Sequence, residues 1–239
     1  MKKTIISCVL FLTAVTAFSQ TPMKTAAEAK LSASDLAVKI ADRILATTTY
    51  EFKNTKTGKT YKSVKNLPVD MNVKVACKYN NWHYTNGVTH IALMELADKT
   101  GAKKYDDYVL KNMNFVFNEG NLDFFKKQYD QAMKNEGWYG VRKLSWHMIF
   151  RGKRLDDNGP MGASLIDLQM KHPNNSFLNY INETAEHLNY GEPRLADGTI
   201  ARIWPHENTI WADDAFMAIS FLARMAKMLS LIHISEPTR

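Results

Sequence analysis

Trp204-Pro205-His206-Glu207-Asn208-Thr209-Ile210-Trp211-Ala212-Asp213-Asp214-Ala215-Phe216-Met217 sets two adjacent carboxylates, flanked by indole, at the start of an apolar segment. Ala215, Ile219, Leu222 and Ala226 recur at helical spacing and predict a helix over 212–228, with Asp213 and Asp214 in its first turn. Free N–H groups and the helix dipole favour an anion there. Upstream, Leu155-Asp156-Asp157-Asn158-Gly159-Pro160-Met161-Gly162 repeats the arrangement, with an acidic pair just before the helix predicted around 163–169. On pattern alone each pair reads equally well as a helix cap. Two such pairs at two helix entrances point further, to carboxylates that supply and receive protons, as in carbohydrate chemistry.

Helical patterns dominate the rest of the chain. Ser34-Asp35 caps a helix running to Leu45, and the Lys-, Thr- and Asn-rich stretch 53–68 reads as loop, with Gly58 and Pro68 as breakers. The segment 82–96 carries Val88, Ile91, Ala92 and Leu96 as its apolar stripe, and 105–117 repeats the pattern. Further helices are predicted over 122–133, 141–150, 163–170 and 177–188, and 196–202 reads as a turn or short hairpin. Strand signals are nearly absent. Helices of this length joined by short turns predict an all-α protein of antiparallel helical hairpins packed in series.

Composition narrows the function classes. Hydrophobic residues make up 45% of the 239, enough for a buried core. The formal charge of +7 falls by two, to +5, without Lys2 and Lys3, a mild preference for anions. No basic cluster is interleaved with stacking aromatics, which argues against nucleic acid and leaves an acidic sugar compatible. Met1-Lys2-Lys3, the apolar run 5–18 and the small residues Ala17 and Ser19 read as a secretory leader cleaved near Ser19-Gln20, predicting a periplasmic or secreted protein. Cys8 leaves with that leader, and Cys77 alone makes no internal disulfide. No other segment approaches the roughly 20 apolar residues of a membrane span.

The terminal string Leu229-Ser230-Leu231-Ile232-His233-Ile234-Ser235-Glu236-Pro237-Thr238-Arg239 reads as a translated sequencing adapter, which predicts that the gene continues beyond Met228. The expected organisation is a leader over 1–19, a polar spacer over 20–32, a partial helical domain over 33–228 and the adapter-derived tail over 229–239.

Other motifs carry less chemistry. Asp106-Asp107 is a control, an acidic pair beside the buried stripe Tyr105, Tyr108, Val109 and Met113, predicted to face solvent near Lys103, Lys104 and Lys111. His206-Glu207 lacks the second histidine of a zinc helix, and the remaining histidines show no ligand spacing, so no metal site is expected. There is no phosphate loop, nucleophile elbow or Cys/His constellation, and no cofactor is implied. Trp82-His83-Tyr84-Thr85-Asn86-Gly87 opens a helix with aromatic and polar groups together. It reads either as core packing or as a stacking platform for a sugar ring.

Three ordered motifs, Asn81 to Val88, Leu155 to Ala163 and Pro205 to Asp214, resemble the unsaturated rhamnogalacturonyl hydrolases of glycoside hydrolase family 105, related to the unsaturated glucuronyl hydrolases of family 88. The resemblance covers about 33–228. It implies an (α/α)6 toroid of six helical hairpins, here incomplete, since about eight helices are predicted where twelve close the ring. It also implies hydration of the 4,5 double bond that polysaccharide lyases leave on a nonreducing-end uronic acid. By motif match the acid/base is Asp213 and the second essential aspartate Asp157, with Asp214 the neighbour that stays open. Tyr84 and Trp211 match positions that pack on the sugar, beside His83; Arg202 and His206 are candidates for its carboxylate. The expected substrate is an unsaturated pectin oligosaccharide, the alternative a helical carbohydrate-binding or scaffold module without turnover. An aspartate with an ordinary pKa of about 3.9 is a poor acid at neutral pH, so the site must raise it by an apolar wall or a like charge.

Overall fold

The computed structural model describes residues 32–152, 154–203 and 205–230. The leader, most of the spacer and the tail from 231 lie outside the described residues. Its helices are α1 (Ala33–Thr47), α2 (Tyr84–Thr100), α3 (Lys104–Val116), α4 (Glu119–Val141), α5 (Met148–Arg151), α6 (Leu155–Lys171), α7 (Asn175–Glu186) and α8 (Ala212–Met228). The framework is all-α, as predicted. Short turns return the chain between α2 and α3 and between α6 and α7, so each packed pair forms a helical hairpin. Two compact units divide between Ile40 and Ala41, within α1. In the first, Ser32 caps the helix two residues before the predicted position, exchanging hydrogen bonds with Asp35 at 3.1 and 3.2 Å. The second unit, from Ala41 onwards, carries everything described below.

Part of the stretch read as loop is a small antiparallel sheet. Strands β1 (Phe52–Asn54), β2 (Thr60–Tyr61) and β3 (Val73–Val75) lie in the order β2-β1-β3, with Phe52 opposite both Tyr61 and Val75. Strands of two and three residues are too short for their alternation to stand out from the surrounding lysines. Phe52 is fully buried, its ring 5.4 Å from Phe115 and 5.8 Å from Phe125. Burying such a side chain contributes roughly 2–3 kcal/mol and fixes the sheet on α3 and α4.

Helix α6 is the axis of the unit, packed between α2 on one side and α8 on the other. Two glycines allow that spacing. A Cβ on Gly87 of α2 would overlap the Pro160 backbone, and one on Gly159 of α6 would overlap the Met217 carbonyl of α8. The run from Asp157 to Ile166 is buried without interruption. The helix therefore starts at Leu155, eight residues before the predicted start, and Asp156 and Asp157 lie inside its first turn. Gly159 and Pro160 read as breakers in sequence, but helices on both sides hold the backbone in place despite the missing Pro160 N–H.

Three predicted faces need correction. In α2 the buried positions are Asn86, Gly87, His90, Leu93, Met94 and Ala97, whereas Val88 and Ala92 are exposed; the polar Asn86 and His90 conceal the stripe from an apolar count. In α8 the buried positions are Asp214, Met217, Ala218 and Phe221, while Ile219 and Leu222 are exposed, because α8 is apolar nearly all round and α6 covers one side. In α3 the stripe Tyr105, Tyr108, Val109 and Met113 is buried as predicted, but Asp106 does not simply face solvent. Lys171 at the end of α6 bridges it at 3.1 Å and reaches Asp98 at 2.8 Å, tying three helices together; Asp107 pairs with Lys103. The predicted helices over 122–133 and 141–150 are replaced by the longer α4, broken at Gly137 with φ 58°, and by the single turn α5. The region 196–202 is hairpin-like, through bridges from Arg194 to Ile200 and from Arg202 to Thr209.

Candidate active site

The N-terminus of α6 is fastened from two directions. Trp82, completely buried against Phe117 and Tyr180, donates its indole N–H to the Asp157 carbonyl at 2.8 Å. Trp82 is thus a core residue and no stacking platform, and the rings of its motif that reach open space are His83 and Tyr84. His83 caps α2, its Nδ1 accepting the Thr85 N–H at 3.4 Å, and its ring lies 4.6 Å from that of Tyr84. From the other direction, the Arg151 guanidinium grips both carboxylate oxygens of Asp157 and lies 4.8 Å over the ring of Trp138. Asp157 is 2% exposed. Burial pushes its carboxyl above the ordinary aspartate range, and the Arg151 charge opposes that rise without cancelling it.

Asp157 lies on the wall of a hollow of about 380 Å³ that also exposes His83, Tyr84, Trp138, Arg142, His147, Arg154 and Asp156. His147 donates Nδ1–H to the Leu144 carbonyl at 3.0 Å. Burial, and after it the Arg151 and Arg142 charges, push its pKa down against the bond to Leu144 and so favour the neutral ring.

The second acidic pair reproduces this construction. Asp214, 7% exposed, is gripped through both oxygens by Arg202, with Nη2 to Oδ1 at 2.7 Å. The Arg202 guanidinium lies 4.0 Å over the ring of Trp211. Asp214 lines a second hollow of about 590 Å³ together with Arg202, His187, Glu192, Arg154 and Asp156. Arg154 and Asp156 line both hollows, which therefore adjoin. Within the second one, His187, in the π-helical turn His187–Gly191, bonds Glu192 at 2.9 Å. Burial pushes the Glu192 carboxyl up, His187 opposes that rise, and the Asp214 charge adds to it.

Of the predicted residues, the structure brings Asp157, His83 and Tyr84 into one hollow and Arg202 into the other. Asp213 stands exposed at the head of α8 and lines neither, although its charge reaches Arg202. Trp211 is 43% exposed, and His206 is exposed with its carbonyl accepting from Thr209; neither lines a hollow. Sequence reading missed Arg151, Arg154, His187 and Glu192. The available signal was an arginine ahead of each acidic pair, Arg151 before Asp157 and Arg202 before Asp214. Among the described residues no cluster of three metal-ligating side chains forms, and no helix is long and apolar enough to cross a membrane.

Residues 55–231 match the family described as Glycosyl Hydrolase Family 88. Among solved structures, the chain is similar to a possible member of the GH105 family from Klebsiella pneumoniae subsp. pneumoniae MGH 78578. The identity is 13% and the TM-score 0.46, over 84% of this chain and 44% of that one. This chain therefore spans less than half the length of the structure it matches. No curated protein matches it.

Proposed function

This chain belongs to glycosyl hydrolase family 88, and from that premise we propose that it is part of an (α/α)6 hydrolase of unsaturated uronyl oligosaccharides. The substrates are the products of lyase cleavage of pectin, with rhamnogalacturonan-derived disaccharides preferred. On the leader pattern of residues 1–19, it works in the periplasm or outside the cell.

The observation that carries this reading is Asp157, a carboxyl on the wall of an open hollow whose proton affinity is raised by burial. Hydration of an enol ether needs such a group. An acid delivers a proton to C4, the oxygen of water bonds to C5, and the proton that water loses returns to a carboxylate. The resulting hemiketal opens and releases the remaining saccharide. By motif match alone the acid/base role falls to Asp213, which lines neither hollow, and Asp157 is its essential partner, while Tyr84 offers a ring face for the sugar. The spacing rule of ordinary glycosidase carboxylates does not apply, because the reacting carbon is in a double bond.

The test is loss of the ultraviolet absorbance of the conjugated double bond when the protein meets lyase-generated oligosaccharides. Unchanged absorbance across a panel of unsaturated uronides rejects the reading.

A further inference from the structure

Around the two hollows stand four arginines in two different states. Arg151 and Arg202 are each committed, gripping a buried aspartate through both oxygens and stacked on a tryptophan. Withdrawing either to meet a ligand strands a buried carboxylate without its partner. Arg142 and Arg154 differ. Both are exposed, both line the Asp157 hollow, and among the described residues neither has a carboxylate within ion-pair distance.

Charge separates the hollows as well. The Asp157 hollow is lined by Arg142, Arg151 and Arg154 against Asp156 and Asp157, an excess of cation. The Asp214 hollow sets Arg154 and Arg202 against Asp156, Glu192 and Asp214, so an anion there meets more carboxylate than guanidinium. A planar guanidinium matches a carboxylate through two parallel N–H bonds, which makes arginine suited to that ligand.

We propose that Arg142 and Arg154 receive the carboxylate of the substrate's uronic acid in the Asp157 hollow, which leaves the Asp214 hollow to the uncharged neighbouring sugar. This rests on the reading of the site as one for uronyl saccharides, and moves the carboxylate contact away from Arg202 and His206. Arg154, at the boundary of the hollows, then marks the linkage between the two sugars and sets the direction in which the substrate lies.

Binding separates this assignment from turnover. Calorimetric titration of the full chain with galacturonate and with its methyl ester, which removes the charge and adds one methyl group, reads the carboxylate contact. The wild-type protein is expected to prefer the acid by roughly tenfold or more, the size of a charge-assisted pair, and to lose that preference as salt is added. The preference disappears in the double variant Arg142→Gln/Arg154→Gln, which changes two exposed side chains. A preference that survives in the double variant overturns the proposal, as does its loss in Arg202→Gln alone or the absence of any galacturonate binding by the wild type. If the preference behaves as expected while the double-bond absorbance never changes, the anion site stands and the hydrolase reading falls.

Discussion

The two acidic helix entrances are built alike and supported differently. At each, the second aspartate is buried, an arginine from the preceding segment grips it, and a tryptophan ring lies under the guanidinium. The first aspartate of each pair, Asp156 or Asp213, is left more open. The supports diverge beyond that point. Asp157 opens a helix buried from there to Ile166, whereas Asp214 opens a helix whose Phe216, Ile219 and Leu222 are 52%, 61% and 41% exposed. The same local device is thus clamped on both sides at α6 and on one side at α8. Enclosure raises the proton affinity of Asp157.

The largest expected effect separates the roles of the pairs. Asp157→Asn lowers turnover of an unsaturated uronide by about a hundredfold or more, the usual scale for a proton-transfer group. Asp213→Asn does the same without lowering the melting temperature, since Asp213 is exposed. Asp214→Asn mainly lowers stability, because it unsettles the Arg202 clamp. Normal turnover in Asp213→Asn, with loss in Asp214→Asn, would transfer the acid/base role to the buried neighbour.

Next in size is the cost of removing each arginine. Arg151→Ala leaves a carboxylate that is 2% exposed without its partner and is expected to cost about 3 kcal/mol by urea unfolding. Arg202→Ala costs less, since the side chains of Asp214 and Arg202 are 10% and 22% exposed and water screens the loss. Equal costs would show that enclosure does not distinguish the two clamps.

The glycines sharpen the comparison further. Gly87→Ala drives a methyl into the Pro160 backbone of a helix held on both sides, and Gly159→Ala drives one into the Met217 carbonyl of a helix with a bare far face. Each should cost about 1–3 kcal/mol, with Gly87→Ala the more expensive because α8 can shift and α6 cannot. The reverse order in thermal melts would mean that α8 is the more firmly held helix.

The smallest effect is a pH dependence. With the folded-state pKa of Asp157 raised, its stabilising contribution is full below the unfolded value of about 3.9 and is lost as pH rises through the folded value. Relative to wild type, Asp157→Asn should therefore gain stability as urea midpoints are followed from about pH 3 through the acidic range. A change in the opposite direction would show that the Arg151 pair outweighs burial.

Much of this architecture is written locally. The limits of α8 and the buried face of α3 follow from spacing alone, because an apolar stripe at helical period needs only one partner surface. Both acidic pairs also stand out, as charge at a helix start is a short-range signal. Other features are misread for a common reason. The start of α6 hides behind Gly159-Pro160, the buried face of α2 behind Asn86 and His90, and the sheet behind strands of two and three residues. In each case the deciding contact comes from a segment distant in the chain.

The sequence by itself determined a helical framework, two acidic helix entrances and the family to which they point, since these depend on periodicity and on residues adjacent in the chain. Only the tertiary structure decided which aspartate of each pair is buried and which arginine holds it. It also decided that Arg154 and Asp156 join the two hollows, and that among the described residues Arg142 and Arg154 have no carboxylate within ion-pair distance. Burial and ion pairing depend on distances through space, and the Trp82 indole that fixes the Asp157 carbonyl lies 75 positions away in the chain.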